Sequence, residues 1–219
     1  MSFDALAPYY RAMEFVLAGS LLHRCRTAFL DQAAQARTAL LLGEGPGRYL
    51  VELLRVNPRL CVTCLDSSAR MLAVAREHLP ARPFSDQQVR FVCADWRAWP
   101  GDGGPFDLVA THFFLDCFQA GQLAELVPKV AALASSHALW VLSDFREPAA
   151  GWQRLRAQFV LKAAYLFFHW AAALSASQLT PPDPFLEASG FHLLQRRLFH
   201  HGLLHADLWQ TGPLGLGGS

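Results

Sequence analysis

The chain has 219 residues, of which 53% are hydrophobic, so it is long enough for one domain with a sizeable core. Nineteen basic and 18 acidic residues give a net charge of +1, which provides no strong field for a nucleic-acid partner. The N-terminus lacks the pattern of a signal peptide, and the most apolar run, residues 163–174, is too short to span a bilayer. We therefore expect a cytoplasmic protein without a transmembrane segment.

Short apolar runs alternate with helical patterns through most of the chain. The first 35 residues have a helical pattern. Predicted strands then cover residues 39–44, 60–66, 89–95, 106–114 and 138–145, and predicted helices cover residues 48–56, 69–79 and 122–134. This alternation predicts a parallel sheet with helices on both of its faces.

The C-terminal part departs from that alternation. A helical insertion at residues 152–179 and a short helix at 185–189 precede two strand patterns, FHLLQRRLFH (191–200) and LLHADLWQ (203–210). These two patterns predict an antiparallel pair that closes the edge of the sheet. We expect a single domain over residues 1–211, followed by a flexible glycine-rich tail over residues 212–219.

The cysteines and the histidines near the C-terminus give no metal signal. The odd number of cysteines, five, and their irregular spacing indicate reduced thiols. Cys61 and Cys64 form a CxxC pair inside a predicted strand, and we interpret both as core thiols because positions three apart face opposite sides. His200, His201 and His205 lie near the predicted final hairpin, and we expect them at the surface or on an edge strand.

A glycine-rich turn follows the first predicted strand. Gly43, Gly45 and Gly47 lie at the carboxyl end of that strand, where open α/β sheets bind ligands. The turn lacks the lysine and the Ser/Thr of a phosphate loop, and its GxGxG spacing differs from the GxGxxG of dinucleotide sites. A tight turn without a ligand is the alternative interpretation.

Aspartates end the next two predicted strands. A carboxylate at Asp66 can accept both ribose hydroxyls of an adenosine, and one at Asp95 can accept the adenine amino group. Each aspartate alone could instead cap a helix. Suitable groups at three successive strand ends favour an adenosine-binding site.

These segments resemble the successive motifs of class I S-adenosylmethionine-dependent methyltransferases. The similarity covers roughly residues 38–145 and lies in LLLGEGPGRYL (40–50), CLDSSARML (64–72), VCADW (92–96) and FDLVATHFFLDCF (106–118). FDALAPYYRAMEF (3–15) also resembles the entry segment of the ubiquinone/menaquinone-biosynthesis subgroup. The resemblance implies a doubly wound, Rossmann-like α/β fold with a seven-stranded sheet, mostly parallel, and S-adenosylmethionine as cofactor with S-adenosylhomocysteine as product.

The resemblance also implies which residues hold the cofactor. The glycines would approach its methionine part, Asp66 its ribose and Met71 its adenine ring, while Tyr10 would fold over it from an N-terminal helical lid, residues 1–35. The expected cofactor contacts are Tyr10, Gly43, Glu44, Gly45, Gly47, Asp66, Ser67, Met71, Ala94, Asp95, Trp96 and His112.

One position departs from the family pattern. The family usually has an acidic residue two positions before the first glycine, where this chain has Leu41. The acid here is Glu44, inside the turn. We expect Glu44 to replace the missing carboxylate beside the cofactor; the alternative is that it only caps the next helix.

Methyl transfer is an in-line displacement, and a base is needed only if the acceptor must lose a proton. His112, at the end of the fourth strand, is the candidate base because its ordinary pKa lies near neutrality. Its alternative role is a hydrogen-bonded histidine that touches the cofactor. Asp116 is a second catalytic candidate that would orient the acceptor or a histidine, with a helix cap or a surface position as the alternative.

The acceptor would lie under the insertion at residues 152–179. Candidate substrate contacts are Tyr9, Phe113, Tyr165 and His169. The apolar, aromatic insertion suits a small hydrophobic or aromatic acceptor, although its apolar face could also rest on a membrane surface or form a homodimer. The sequence therefore predicts a methyltransferase acting on a small molecule. The alternative is a cofactor-binding protein of the same fold with regulatory or non-methyl-transfer chemistry.

Overall fold

The computed structural model describes residues 19–79, 88–146 and 179–212. Its strands are β1 (Thr38–Leu42), β2 (Cys61–Asp66), β3 (Val89–Cys93), β4 (Phe106–His112), β5 (Ala134–Phe145), β6 (Phe191–Phe199) and β7 (Leu204–Thr211). Its helices are α1 (Gly19–Arg26), α2 (Arg48–Val56), α3 (Ala69–His78), α4 (Ala120–Ala131) and α5 (Asp183–Ala188). Tyr9, Tyr10, Tyr165 and His169 lie outside the described residues, as do most of the predicted lid, the insertion and the tail.

All seven strands form one sheet in the order β3-β2-β1-β4-β5-β7-β6. Strands β1 to β5 run parallel to one another, and β7 runs antiparallel between β5 and β6. The chain order reverses between β1 and β4, and such a switch point leaves a crevice at the carboxyl ends of the strands. The predicted Rossmann-like fold with a final antiparallel pair is confirmed.

Two hydrophobic layers cover the sheet because successive side chains of a buried strand point to opposite faces. In β1, Leu41 joins the layer under α1, α2 and α3, whereas Leu40 and Leu42 join the layer under α4. The register pairs Leu42 with Leu65 on β2 and with Thr111 on β4. The end of β1 is thus held at the same level as the ends of β2 and β4.

The observed starts of α4 and β5 differ from the predicted ones. Helix α4 begins at Ala120 rather than residue 122, and β5 begins at Ala134 rather than residue 138. The register between β4 and β5 shifts between Phe106 and Leu108, which lets β5 extend past the apolar run that predicted it.

Two predictions about single side chains were wrong. Cys64 is buried as expected, but Cys61 is exposed. His200 and His201 are exposed, whereas His205 is buried on the inner strand β7, with its Nδ1 3.1 Å from the Asp207 carboxylate. The outer strand is β6, so the second strand of the hairpin is covered on both sides.

Within the described ranges, no helix is long and apolar enough to cross a membrane. No group of three or more His, Cys, Asp or Glu side chains there is arranged to hold a metal ion.

Candidate functional site

The glycine-rich turn after β1 has a backbone that favours glycine. Gly43 and Gly45 have φ values of +65° and +63°, in the left-handed region. A side chain at Gly43 would meet the ring of Phe114 at 2.2 Å, whereas one at Gly45 would meet no atom of the described residues within 4 Å. Open space therefore adjoins Gly45, where a ligand can approach the backbone closely.

The carboxylate of Asp66 joins this turn to the end of β2. Its Oδ2 accepts a hydrogen bond from the Gly45 amide at 3.0 Å, and its Oδ1 accepts one from the Ser68 amide at 2.8 Å. A carboxylate can accept about four hydrogen bonds, so these two fix its orientation and leave capacity for ribose hydroxyls. The ribose contact itself stays a prediction.

The expected adenine contacts on α3 begin next to Asp66. Ser68 is the N-cap of the helix, and its Oγ accepts a hydrogen bond from the Met71 amide at 3.2 Å. Met71 is buried, while Ser67 is exposed. The structure therefore brings Met71 and Ser67 to the end of β2 that carries Asp66.

Asp95 and Trp96 lie in a turn rather than at the end of a strand, because β3 already ends at Cys93. The Ala94 amide continues the ladder to the Asp66 carbonyl at 3.1 Å, and Asp95 Oδ1 accepts from the Arg97 amide at 2.8 Å. Asp95 is exposed, whereas Trp96 is buried and its indole N–H has no hydrogen-bond partner in the described part of the chain. All five predicted adenine-side residues follow β2 or β3.

His112 ends β4 beside the glycine turn. Its side chain is 6% exposed, and its ring lies 4.3 Å from the ring of Tyr49 on α2, edge to face. Neither ring nitrogen has a hydrogen-bond partner within residues 19–79, 88–146 and 179–212. Burial, followed by the positive charge of Arg26, lowers the pKa of His112 well below its ordinary value, so the imidazole is neutral.

The chain is similar to known proteins in both sequence and fold. A family model described as a methyltransferase domain matches residues 39–136. A trans-aconitate 2-methyltransferase from Delftia acidovorans is 35% identical over 102 residues, covering 45% of this chain and 34% of that protein. A demethylmenaquinone methyltransferase from Chlamydia caviae is 26% identical over 113 residues, covering 52% and 47%.

The fold also matches a solved magnesium protoporphyrin IX methyltransferase from Synechocystis with bound S-adenosylhomocysteine. The TM-score is 0.63 at 16% identity, over 87% of this chain and 83% of that one. The comparisons support a class I S-adenosylmethionine-dependent methyltransferase domain over residues 39–136, as the sequence predicted. They also support S-adenosylmethionine as the cofactor. The match from Chlamydia agrees with the quinone-biosynthesis-like subgroup, although the chain spans only about a third to a half of the two curated relatives.

Glu44, where the sequence departs from the family pattern that it resembles, caps helix α2. Its Oε1 accepts hydrogen bonds from the amides of Tyr49 at 2.8 Å and Leu50 at 3.0 Å. Burial raises the pKa of Glu44 to about 7, against the opposing effects of these bonds and of Arg26. The capping role that we left as the alternative is therefore present, and a cofactor contact through the other oxygen stays a prediction.

Asp116, the second catalytic candidate, is buried rather than at the surface. It lies in the 3-10 turn Leu115–Cys117 after β4, and its side chain accepts a weak hydrogen bond from the Cys117 thiol at 3.5 Å. Burial raises the pKa of Asp116 to about 6. Its burial leaves the orienting role as a prediction and removes the surface alternative.

Sequence reasoning missed Asp144, which lies next to the last residue of β5. It is 1% exposed, its Oδ1 accepts from the Phe114 amide at 3.2 Å, and its Oδ2 has no partner among the described residues. Burial and the nearby Asp116 raise the pKa of Asp144 well above its ordinary value. A carboxylate near the end of a predicted strand was the available signal.

Phe113 and Phe114 form the bend between β4 and the turn that holds Asp116. Phe113 has a φ of +56°, which is unusual for a bulky residue, and its amide donates to the Ser143 carbonyl at 2.6 Å. Its half-buried ring lies 5.7 Å from the ring of Phe145 and 5.4 Å from the Arg26 guanidinium. The predicted acceptor contact of Phe113 stays a prediction.

The described residues fit S-adenosylmethionine. The approachable backbone at Gly45, the oriented carboxylate of Asp66 and the unpaired nitrogens of His112 all lie at the carboxyl ends of β1, β2 and β4. Gly43, Gly45, Gly47 and Asp66 would hold the cofactor on these strands.

Proposed function

We propose that this protein transfers a methyl group from S-adenosylmethionine to a small organic molecule. The observation that carries the proposal is the 3.0 Å hydrogen bond from the Gly45 amide to Asp66, which holds the carboxylate that we predict to bind the ribose against the glycine turn. S-adenosylmethionine, when bound, supplies a methyl group already activated by a sulfonium. The protein's own contribution is then to align the acceptor and exclude water.

Aromatic side chains at the carboxyl end of β4 and β5 favour a hydrophobic or aromatic acceptor. The rings of Phe114 and Phe118 lie 5.0 Å apart, and those of Phe113 and Phe145 lie 5.7 Å apart. The relatives are named for small organic acceptors, trans-aconitate and demethylmenaquinone. We therefore propose a small acceptor that packs on aromatic rings, with Phe113 among its contacts.

His112 and Asp116 keep distinct roles in this proposal. A neutral imidazole can take a proton from an acceptor hydroxyl or amine, and the low pKa of His112 keeps that form available throughout the physiological range. Asp116, with a pKa near 6, would orient the acceptor. The five free cysteines support a reducing, cytoplasmic location.

The test measures binding and transfer separately. Titration calorimetry with S-adenosylmethionine and S-adenosylhomocysteine comes first, and no binding at high micromolar concentration would contradict the proposal. A panel of phenols, carboxylic acids, quinols and amines is then incubated with cofactor carrying a deuterated methyl. Mass spectrometry should find the label in a product; tight binding with no labelled product in any reaction would favour a regulatory protein instead.

A further inference from the structure

Two buried side chains beneath the glycine turn carry polar atoms without partners. Tyr49 is 1% exposed and His112 is 6% exposed. The Tyr49 hydroxyl and both nitrogens of His112 have no hydrogen-bond partner among the described residues. Because the two rings are 4.3 Å apart, all three atoms belong to one small region.

Such a group of atoms is unusual in a protein core. The large majority of buried polar side-chain atoms have a hydrogen-bond partner. Leaving one unpaired costs about 1–3 kcal/mol, so phenylalanine at these positions would pack as well without that cost. The polar atoms of Tyr49 and His112 therefore indicate a binding role rather than a packing role.

The position of the pair indicates what it binds. Tyr49 is the second residue of α2, which begins directly after Gly47, and its amide donates a hydrogen bond to Glu44. His112 follows Thr111, whose partner on β1 is Leu42, so it lies at the level of Gly43. A group that reaches these atoms would approach past the start of the glycine turn.

The charges around the pair suit a zwitterion. Glu44 supplies a carboxylate on one side, and the positive charge of Arg26 acts on both Glu44 and His112. A neutral imidazole and a hydroxyl can each donate one hydrogen bond, which together match the two oxygens of a carboxylate. The acidic position before the turn, by contrast, is occupied by Leu41, which is fully buried and apolar.

We propose that Tyr49 and His112 bind the carboxylate at the amino-acid end of S-adenosylmethionine, while Glu44 receives its ammonium group. This inference rests on the proposed function, since it assigns part of the same cofactor site. It gives Tyr49 a binding role and gives His112 the cofactor contact that the sequence also predicted, through one ring nitrogen, while the other nitrogen can still accept a proton.

The test compares two ligands that differ at that end only. S-adenosylhomocysteine carries the amino-acid group, whereas 5′-methylthioadenosine keeps the adenosine and the thioether without it. In Tyr49→Phe and His112→Phe, titration calorimetry should show about tenfold weaker binding of S-adenosylhomocysteine for each lost hydrogen bond and unchanged binding of 5′-methylthioadenosine. Glu44→Gln should behave in the same way.

Asp66→Ala is the matched control because it lies at the adenosine end, and it should weaken both ligands equally. Tyr49→Phe and His112→Phe should melt at or above the wild-type temperature, since the atoms that they remove have no hydrogen-bond partner among the described residues. If His112→Phe does not fold, His112→Asn provides a second variant.

Equal effects of the variants on both ligands, or on neither, would overturn the inference and leave the proposed function intact. Failure of the wild-type protein to bind either ligand would instead overturn the proposed function.

Discussion

The carboxylate of Asp66 on β2 accepts a 3.0 Å hydrogen bond from the amide of Gly45, the middle glycine of the turn after β1. The same side chain also accepts from the Ser68 amide before α3. One residue thus shapes the turn, starts the next helix and presents oxygens to the crevice. Binding and local structure therefore depend on the same side chain.

Substitutions at Asp66 should separate these roles. Asp66→Asn keeps an acceptor for one amide but loses the charge, and Asp66→Ala loses both. We expect binding of S-adenosylhomocysteine to weaken at least tenfold in Asp66→Asn and further in Asp66→Ala, because hydrogen bonds to a charged group contribute about 1.5–3 kcal/mol. Calorimetry measures this affinity. Asp102→Asn is the control, because Asp102 is an exposed residue that pairs with Arg90. Unchanged affinity in Asp66→Ala would remove the ribose assignment.

Alanine at Gly43 and at Gly45 should have different effects on stability. The two residues have nearly equal φ values, +65° and +63°, so the cost of a left-handed alanine, about 1–2 kcal/mol, is the same in both variants. Only Gly43→Ala adds a clash, at 2.2 Å from the Phe114 ring. We expect a lower melting temperature for Gly43→Ala than for Gly45→Ala, and partial recovery in Gly43→Ala combined with Phe114→Ala. Equal melting temperatures would show that Phe114 moves aside freely.

The stability effect of Glu44→Gln should depend on pH. Because the pKa of Glu44 is raised from 4.5 to about 7, its burial favours the protonated form, and ionisation costs stability as the pH rises from about 4.5 to 7. Glutamine keeps an acceptor for the amides of Tyr49 and Leu50 without that cost. Urea unfolding at pH 5 and pH 8 measures this effect. The free energy of unfolding of Glu44→Gln, relative to that of the wild type, should be about 1–3 kcal/mol higher at pH 8 than at pH 5. A difference that does not change with pH would mean that Glu44 ionises normally.

Arg196 should matter more for stability than an exposed arginine. It bonds Asp207, which is fully buried, as well as Asp183. Burial alone would raise the pKa of Asp207, but the bonds from Arg196 and His205 lower it, so its charge depends on these partners. Arg196→Met should cost about 3–5 kcal/mol in urea unfolding, because it leaves a buried carboxylate unpaired.

The control for that experiment is Arg55→Met. Its pair with Glu52 is on the surface, with the arginine side chain 61% exposed, so the expected loss is below about 1 kcal/mol. Similar losses in the two variants would contradict the importance of burial at Asp207.

His112 should remain neutral where other histidines titrate. Its pKa is lowered by burial and by Arg26, so its nitrogen-15 signals should not change between pH 5 and pH 8. NMR of nitrogen-labelled histidines, with the signals of His112 assigned by their loss in His112→Asn, measures this directly. A midpoint near 6.5 would show that the ring is solvated.

The fold and the cofactor turn were readable from the sequence because their signals are local. Continuous apolar runs predicted the parallel strands, and glycines at alternate positions predicted the turn. The exact ends were less accurate: β3 stops at Cys93, two residues before Asp95, because Cys93 is the last residue in register with β2 and, among the described residues, only the Ala94 amide bonds to β2 beyond it.

The features that the sequence did not reveal depend on long-range contacts. His205 is buried because β7 inserts between β5 and β6, which no local pattern specifies. Tyr49 drew no notice because its partner, His112, lies 63 positions away along the chain and meets it only when α2 packs on β4. Glu44 was correctly placed in the turn, but only the hydrogen bonds decide that its Oε1 caps α2.

The pairing of Leu42 with Leu65 aligns β2 with β1, and this alignment sets the position of Asp66 at the predicted cofactor site. Side chains of a strand alternate between faces, so a shift of β2 by one residue would turn Asp66 away from Gly45. A molecule with that shift would keep nearly normal helix and strand content and yet bind nothing. The fraction of a preparation that binds S-adenosylhomocysteine therefore reports strand alignment, which circular dichroism does not detect.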